Sequence, residues 1–244
     1  MTARPGAAGA PGARPRRIRI APELPAQNDL MGRRGLRPIR KDIDLSRHLF
    51  VLEEIERFVP SEVFGREAPL EVEVGSGKGM FLLSASAEFP DRDFVGIELA
   101  ANYAKFTASR LAKRERPNAV VVSGDALRFF SEFLAESSVD AVHVYFPDPW
   151  WKARHRKRRV MVPPFLTSIE RVLKPDGELQ FWTDVQEYFQ ESLELLAEHT
   201  KLDGPHPVPE REPQHDMDYR TNFERRVRQA GKPVYRAQFL KRAE

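Results

Sequence analysis

Leu70-Glu71-Val72-Glu73-Val74-Gly75-Ser76-Gly77-Lys78-Gly79 is the stretch whose reading decides the fold. Leu70, Val72 and Val74 alternate as a short strand does. Three glycines at every second position then make a turn in which backbone can approach a ligand without Cβ clashes. An apolar helix follows over residues 80–89. The turn is not the G-x-G-x-x-G of dinucleotide folds, because that pattern needs glycine where Met80 stands. Nor is it the G-x-x-x-x-G-K-[ST] of a P-loop.

Working outward, the strand–helix alternation repeats. Strands are predicted at 94–97, 119–122, 139–146 and 179–182. Between and after them, helices are predicted at 100–113, through Leu127, Phe130 and Leu134, at 164–173 and at 185–198. Lys174-Pro175-Asp176-Gly177 supplies a turn, and 234–240 adds one or two antiparallel strands. Such alternation implies a mostly parallel sheet with helices on both faces and ligands at the carboxyl ends of its strands. Upstream, Leu45, Leu49, Leu52, Ile55 and Val59 recur at helical spacing, which predicts a helix over 44–59 on the edge of the domain.

The 244 residues suffice for one large domain, read as 42–244, behind a basic arm at 1–41. Residues 1–26 hold five Pro and five Arg without periodicity and are expected to be disordered. The absence of cysteine excludes disulfides, thiolate metal sites and a cysteine nucleophile. The six histidines show no metal-ligand spacing, and no apolar run reaches the roughly 18–20 residues of a membrane span. A cytoplasmic protein is expected, with monomer and homodimer both open. Net charge is +3, but residues 1–41 carry +8 and 152–159 carry +6, whereas 42–151 carry −8. A polyanion would meet the two basic segments, not the average surface.

Three acids fall at successive strand ends: Glu73 beside the glycines, Glu98 closing the second strand, and Asp125 after the third. Each alone reads more readily as a solvated strand end, and it is the three at successive strand ends that together point to a cofactor site. The fourth strand runs into Phe146-Pro147-Asp148-Pro149-Trp150-Trp151-Lys152, then Arg154-His155-Arg156-Lys157-Arg158-Arg159. Two prolines restrict the backbone around Asp148, and the basic tract that follows suits phosphate. Aromatics beside it suit stacking on a base, with core packing as the alternative expected for one of the two tryptophans.

The acid followed by G-x-G-x-G resembles the first motif of S-adenosylmethionine-dependent methyltransferases. Phe146-Pro147-Asp148-Pro149-Trp150-x-Lys152-x-Arg154-His155-x-Lys157-Arg158-Arg159 resembles the signature of tRNA (guanine-N7-)-methyltransferases, as do Thr183-Asp184 and Thr221-Asn222-Phe223-Glu224. The resemblance runs from about residue 69 to 241; Ser76 and Lys78 depart from it in the glycine turn, where an aromatic often follows the first glycine.

It implies a Rossmann-like methyltransferase fold with a seven-stranded sheet, and methyl transfer from S-adenosylmethionine to guanine N7 in the variable loop of tRNA. Glu73, Gly75, Gly77, Glu98, Asp125 and Asp148 would hold the cofactor, and Asp148 would also be the catalytic group. Lys152, Asp184, Thr221, Asn222, Phe223 and Glu224 would contact the guanosine, and Arg154, His155, Arg156, Lys157, Arg158 and Arg159 would grip the RNA backbone. No metal is implied. A methyltransferase of the same fold with another RNA, a protein or a small molecule as substrate, and a non-catalytic RNA-binding module, are the competing readings.

Overall fold

In the computed structural model, which describes residues 35–209 and 219–243, the edge of the sheet departs first from the sequence reading. No long helix covers 44–59. Leu49–Val51 is strand β1, a single 3-10 turn follows at Leu52–Glu54, and the short helix α1 occupies Pro60–Phe64, with Pro60 in its first turn. The Leu/Ile/Val stripe is real, but β1 lies parallel to Val121–Ser123 and satisfies an edge that would otherwise be unpaired. The Val121 N–H donates to His48 O at 2.8 Å, a backbone partner that a helix would have forfeited.

The alternation that follows matches expectation closely. Strands β2 (Leu70–Val74), β3 (Asp93–Glu98), β4 (Ala119–Ser123) and β5 (Val139–Tyr145) are joined through helices α2 (Met80–Glu88) and α3 (Ala101–Lys113) and the short α4 (Ala126–Arg128). The last of these continues as a π turn over Phe129–Phe133, where a regular helix was expected. Helix α5 (Pro163–Val172) leads into β6 (Leu173–Thr183), and α6 (Gln186–His199) follows. The Lys174–Gly177 turn survives as an interruption within β6: Val139 pairs with Leu173 and Ala141 next with Glu178. Strand β7 (Asp203–His206), helix α7 (Asn222–Gln229) and strand β8 (Tyr235–Leu240) complete the order. The expected disordered segment at 1–26 lies outside the described residues, as do residues 210–218 beyond β7.

The sheet has eight strands among the described residues, in the order β1-β4-β3-β2-β5-β6-β8-β7, one more than expected. It is parallel except for β8, which runs antiparallel to both of its neighbours, β6 and β7. The chain steps outward from β2 through β3 to β4 and then crosses back to β5 on the other side of β2, so the topological switch falls at β2. Alternate strand residues feed two cores. Val72, Val95, Val142 and Phe181 pack with Phe130, Phe165 and Ile169, whereas Phe94 and Val121 pack with Phe81 and Leu82 of α2. The second face also buries polar groups: His143 Nε2 lies 2.8 Å from Glu71 Oε2, and its Nδ1 lies 2.9 Å from the Tyr145 hydroxyl. Despite burial, the largest influence and an opposing one, His143 and then Arg92 hold the Glu71 carboxyl below its ordinary range.

Candidate active site

Between β2 and α2 the chain uses left-handed backbone at Gly75, Gly77 and Gly79, conformations that L side chains rarely adopt. At Gly79 close packing adds to this, since a Cβ would come within 2.2 Å of Thr107 Cγ2. At Gly75 a Cβ would meet nothing within 4 Å, so the space above the turn is open. The turn is anchored on β3: the N–H groups of Gly75 and Ser76 donate to Ile97 O at 2.8 and 3.0 Å. Glu98 completes the brace, its two carboxylate oxygens accepting from Gly77 N at 2.8 Å and Ala100 N at 2.9 Å.

Glu73 is in a different condition. It is 3% exposed, and its Oε2 has no hydrogen-bond partner. Burial, and then the charge of Glu98, push its carboxyl well above the ordinary range. An orphaned buried carboxyl beneath open space, next to a second acid, is a site in want of a cation. The ammonium and sulfonium of S-adenosylmethionine supply that charge, so the residues present fit the cofactor.

The other acids extend this edge. Asp125 follows β4 and caps α4, accepting from Leu127 N at 2.8 Å. Asp148 lies just beyond β5, and Asp184 directly after β6. Five carboxylates therefore stand at the carboxyl ends of five adjacent parallel strands, β4-β3-β2-β5-β6, a row spanning about 19 Å at ~4.8 Å per strand.

Asp148 is exposed but rigidly framed. Phe146 and Trp150 both take left-handed backbone, at φ 50° and 42°, on either side of Pro147-Asp148-Pro149. Phe146 N donates to Trp182 O at 2.7 Å, and Arg159 Nε donates to Pro149 O at 2.7 Å. Arg159 also pairs with Glu191 and lies over the Tyr188 ring at 4.9 Å. Burial, chiefly, pushes the Tyr188 hydroxyl up to about 12, with Glu191 and Asp148 adding in the same direction.

The basic tract folds as a 3-10 helix over Ala153–Arg158. Lys152, Arg154, Arg156, Lys157 and Arg158 are exposed there. His155 Nε2 accepts from Arg154 Nε at 3.2 Å; desolvation and then the charges of Arg158, Arg154 and Lys152 lower its pKa. Arg159 does not belong with this surface, a correction to the sequence reading. Its side chain is only 10% exposed and is committed to Pro149 and Glu191, because Glu191 and Tyr188 on α6 draw the guanidinium inward. Neither tryptophan is in the core: Trp150 is half-buried, with Arg158 over its ring at 5.1 Å and His155 at its edge, and Trp151 is exposed.

Tertiary structure brings Thr221–Glu224 to the same rim. The Phe223 and Phe146 rings lie 5.1 Å apart. Thr221 caps α7 through Oγ1, which accepts from Glu224 N at 2.9 Å, while Glu224 Oε2 accepts from Arg220 N at 2.7 Å. Glu224 is buried and lies 3.5 Å from Arg236 Nη2 and 3.6 Å from Arg228 Nη1. Its carboxylate therefore organises this corner, while Thr221, Asn222 and Phe223 are more open. The structural part of Arg159 was not legible beforehand, since nothing in a run of six cations marks one as turned inward. The Glu71–His143–Tyr145 group left one trace, acids at alternate positions of an apolar strand.

Open glycine turn, orphaned acid and acidic strand ends define a methyltransferase-type cofactor cleft, and comparison agrees. A family model described as "Putative methyltransferase" matches residues 67–237. A tRNA (guanine-N(7)-)-methyltransferase of Rhodopirellula baltica is 45% identical over 227 residues, 90% of this chain and 84% of that one. One of Burkholderia ambifaria is 36% identical over 181 residues, 74% and 70% of the two chains. Among solved structures, the 16S rRNA methyltransferase KamB superposes with TM-score 0.56 at 18% identity, covering 78% of this chain and 97% of that one, which speaks to the fold alone. The chain belongs to the tRNA (guanine-N7-)-methyltransferase family.

Proposed function

We propose that the protein transfers the methyl group of S-adenosylmethionine to N7 of a guanine in the variable loop of tRNA. The observation that carries this reading is the buried Glu73 carboxyl, its Oε2 without a hydrogen-bond partner, at the end of β2 beside the glycine turn, with Asp148 following the neighbouring strand β5 and leading into the basic loop. Residues 42–244 are assigned to the methyltransferase domain and 1–41 to a basic arm. A cytoplasmic location accords with the finding that no helix among the described residues is long and apolar enough to cross a membrane.

When bound, S-adenosylmethionine would supply an electrophilic methyl on a sulfonium, with the S–C bonding pair left on sulfur as N7 takes the methyl. Guanine N7 offers a lone pair and no proton, so the chain needs no general base and its task is alignment. Glu73 would balance the cationic end of the cofactor, and Glu98, which braces the glycine turn through Gly77 N and Ala100 N, is the acid assigned to the ribose hydroxyls. Asp125, whose Oδ1 caps α4, would accept from the adenine amino group. Positive charge moves onto the guanine ring during transfer, and the Asp148 carboxylate, held in place beforehand, stabilises it there. Asp184 is the acceptor assigned to the guanine Watson–Crick edge, with Lys152 and the residues from Thr221 to Phe223 as the rest of the guanosine pocket and Glu224 holding that corner in shape. Arg154, Arg156, Lys157 and Arg158 meet the phosphates.

Incubation of the full chain with methyl-labelled S-adenosylmethionine and an unmodified tRNA transcript, followed by mapping of the label, tests the reading. Label at guanine N7 of the variable loop is the expected result. Absence of label at N7 overturns it, and transfer to tRNA that survives undiminished when Arg154, Arg156, Lys157 and Arg158 are replaced by Ala removes those four from the phosphate-gripping role.

A further inference from the structure

The large hydrophobic side chains standing out in water among the described residues are Leu99, Trp151 and Phe223, at 74%, 51% and 40% exposure. All three stand on the carboxyl edge of the sheet: Leu99 directly after β3, Trp151 shortly after β5, and Phe223 against Phe146 where β5 ends. Water-facing apolar area gathered at one rim marks a place where something flat and apolar is received. Phe223 already belongs to the guanosine pocket, and Leu99 adjoins the acid assigned to the ribose. Trp151 has no role in either.

We propose that Trp151 is the stacking platform for an unpaired nucleobase next to the target guanine, a second base-binding position beside the catalytic pocket. This rests on the tRNA reading given above. The neighbouring tryptophan is unsuited to the task, since Arg158 covers its ring at 5.1 Å and the His155 ring meets it in a T-shaped contact. Left-handed backbone at Trp150 turns the chain there, and the carbonyl before it, that of Pro149, is tied down by Arg159. Trp151 thus stands outside on a braced segment rather than at the tip of a slack loop. Its sequence neighbours Lys152, Arg154, Arg156 and Lys157 are exposed cations. A nucleotide presents the matching pair of features, a π-face for the indole and a phosphate for the cations, and any base serves. A second copy of this chain is the poorer occupant, because it would bring its own +6 tract against this one.

The test compares the full-length protein with Trp151→Ala and Trp151→Phe, measuring affinity for an unmodified tRNA transcript and the kinetics of methyl transfer. Loss of one base stack corresponds to a rise in Kd and KM for tRNA of about 5- to 150-fold in Trp151→Ala. The loss falls on Kd and KM rather than on turnover at saturating tRNA, and Trp151→Phe recovers most of it. Transcripts made abasic at either side of the target guanine locate the partner: at one of the two positions the parent loses affinity and Trp151→Ala loses nothing further. Unchanged tRNA affinity in a Trp151→Ala protein with parental melting temperature overturns the proposal. So do additive losses at both abasic positions, or a change in sedimentation without a change in RNA affinity, which would assign Trp151 to a second copy. If the parent binds tRNA but labels no guanine N7, the functional reading fails while the binding comparison still reports on Trp151.

Discussion

Arg159 Nε donates to the carbonyl of Pro149 at 2.7 Å, so the last cation of the basic run holds the backbone one residue beyond Asp148. The same guanidinium pairs with Glu191 on α6 and covers the Tyr188 ring. The segment that carries Asp148, the carboxylate proposed for the reaction centre, is therefore braced from α6. Lysine has one ammonium and no planar fork, and cannot reproduce these interactions together. Arg159→Lys is expected to lower kcat by about 10- to 100-fold, because small misplacements of an aligned group are costly. Affinity for tRNA stays within about threefold in that variant, since every phosphate keeps its cation. Steady-state kinetics beside a binding isotherm make the distinction, and equal losses in both would return Arg159 to the RNA surface.

Glu73 predicts a pH signature for cofactor binding. Its carboxyl, raised in the free protein by burial and then by Glu98, is neutral over part of the range above the ordinary carboxylate pKa. A bound cation favours the ionised form, so binding releases a proton and affinity for S-adenosylmethionine strengthens as pH rises through that window. For the free protein the sign is opposite. A raised folded-state pKa stabilises below the unfolded value, and that stability is lost as pH rises through the folded value. Calorimetry in buffers of different ionisation enthalpy detects the released proton. Glu73→Gln is expected to abolish the release and weaken cofactor binding by about 10- to 100-fold, an order-of-magnitude figure for one desolvated charge pair, while leaving the melting temperature of the free protein equal or higher.

The phosphate contacts proposed for the exposed cations Arg156 and Lys157 predict a salt dependence. Replacing both by Ala should weaken tRNA binding and flatten the slope of log K against log salt by about 0.7 for each phosphate that is no longer neutralised. A titration at several salt concentrations reads this directly. An unchanged slope would mean that neither side chain meets a phosphate.

Thr221 and Glu224 are separable by stability. Loss of the Thr221 cap in Thr221→Val costs ~1 kcal/mol, read by denaturant unfolding. Glu224→Leu is expected to cost more, about 3 kcal/mol, because it removes the buried acceptor of the Arg220 N–H and the countercharge near Arg228 and Arg236. Similar costs in the two variants would make Glu224 no more than the cap's partner.

Much of this was legible in local sequence. Leu70–Val74 with three spaced glycines, and the strands at 93–98 and 119–123, follow from period-two apolar patterning and from backbone that only glycine adopts readily. Glu73, Glu98 and Asp125 follow from the same pattern, because a parallel sheet sends every strand end to one edge. Local pattern failed where a partner distant in sequence decided the outcome. Leu49–Val51 has helical spacing but became a strand because β4 had a free edge to pair. Arg159 is indistinguishable from its neighbours in the run, yet Glu191 and Tyr188 on α6 draw it inward. Glu224 reads as a base-contacting acid, yet the approach of Arg236 from β8 makes it a buried anchor. Sequence by itself determined the elements and the kinds of chemistry available, since propensity, spacing and charge are properties of neighbours along the chain. Which carboxylate is left without a partner, which cation is turned inward and which tryptophan faces water depend on side chains dozens of residues apart, and only the folded chain brings those together.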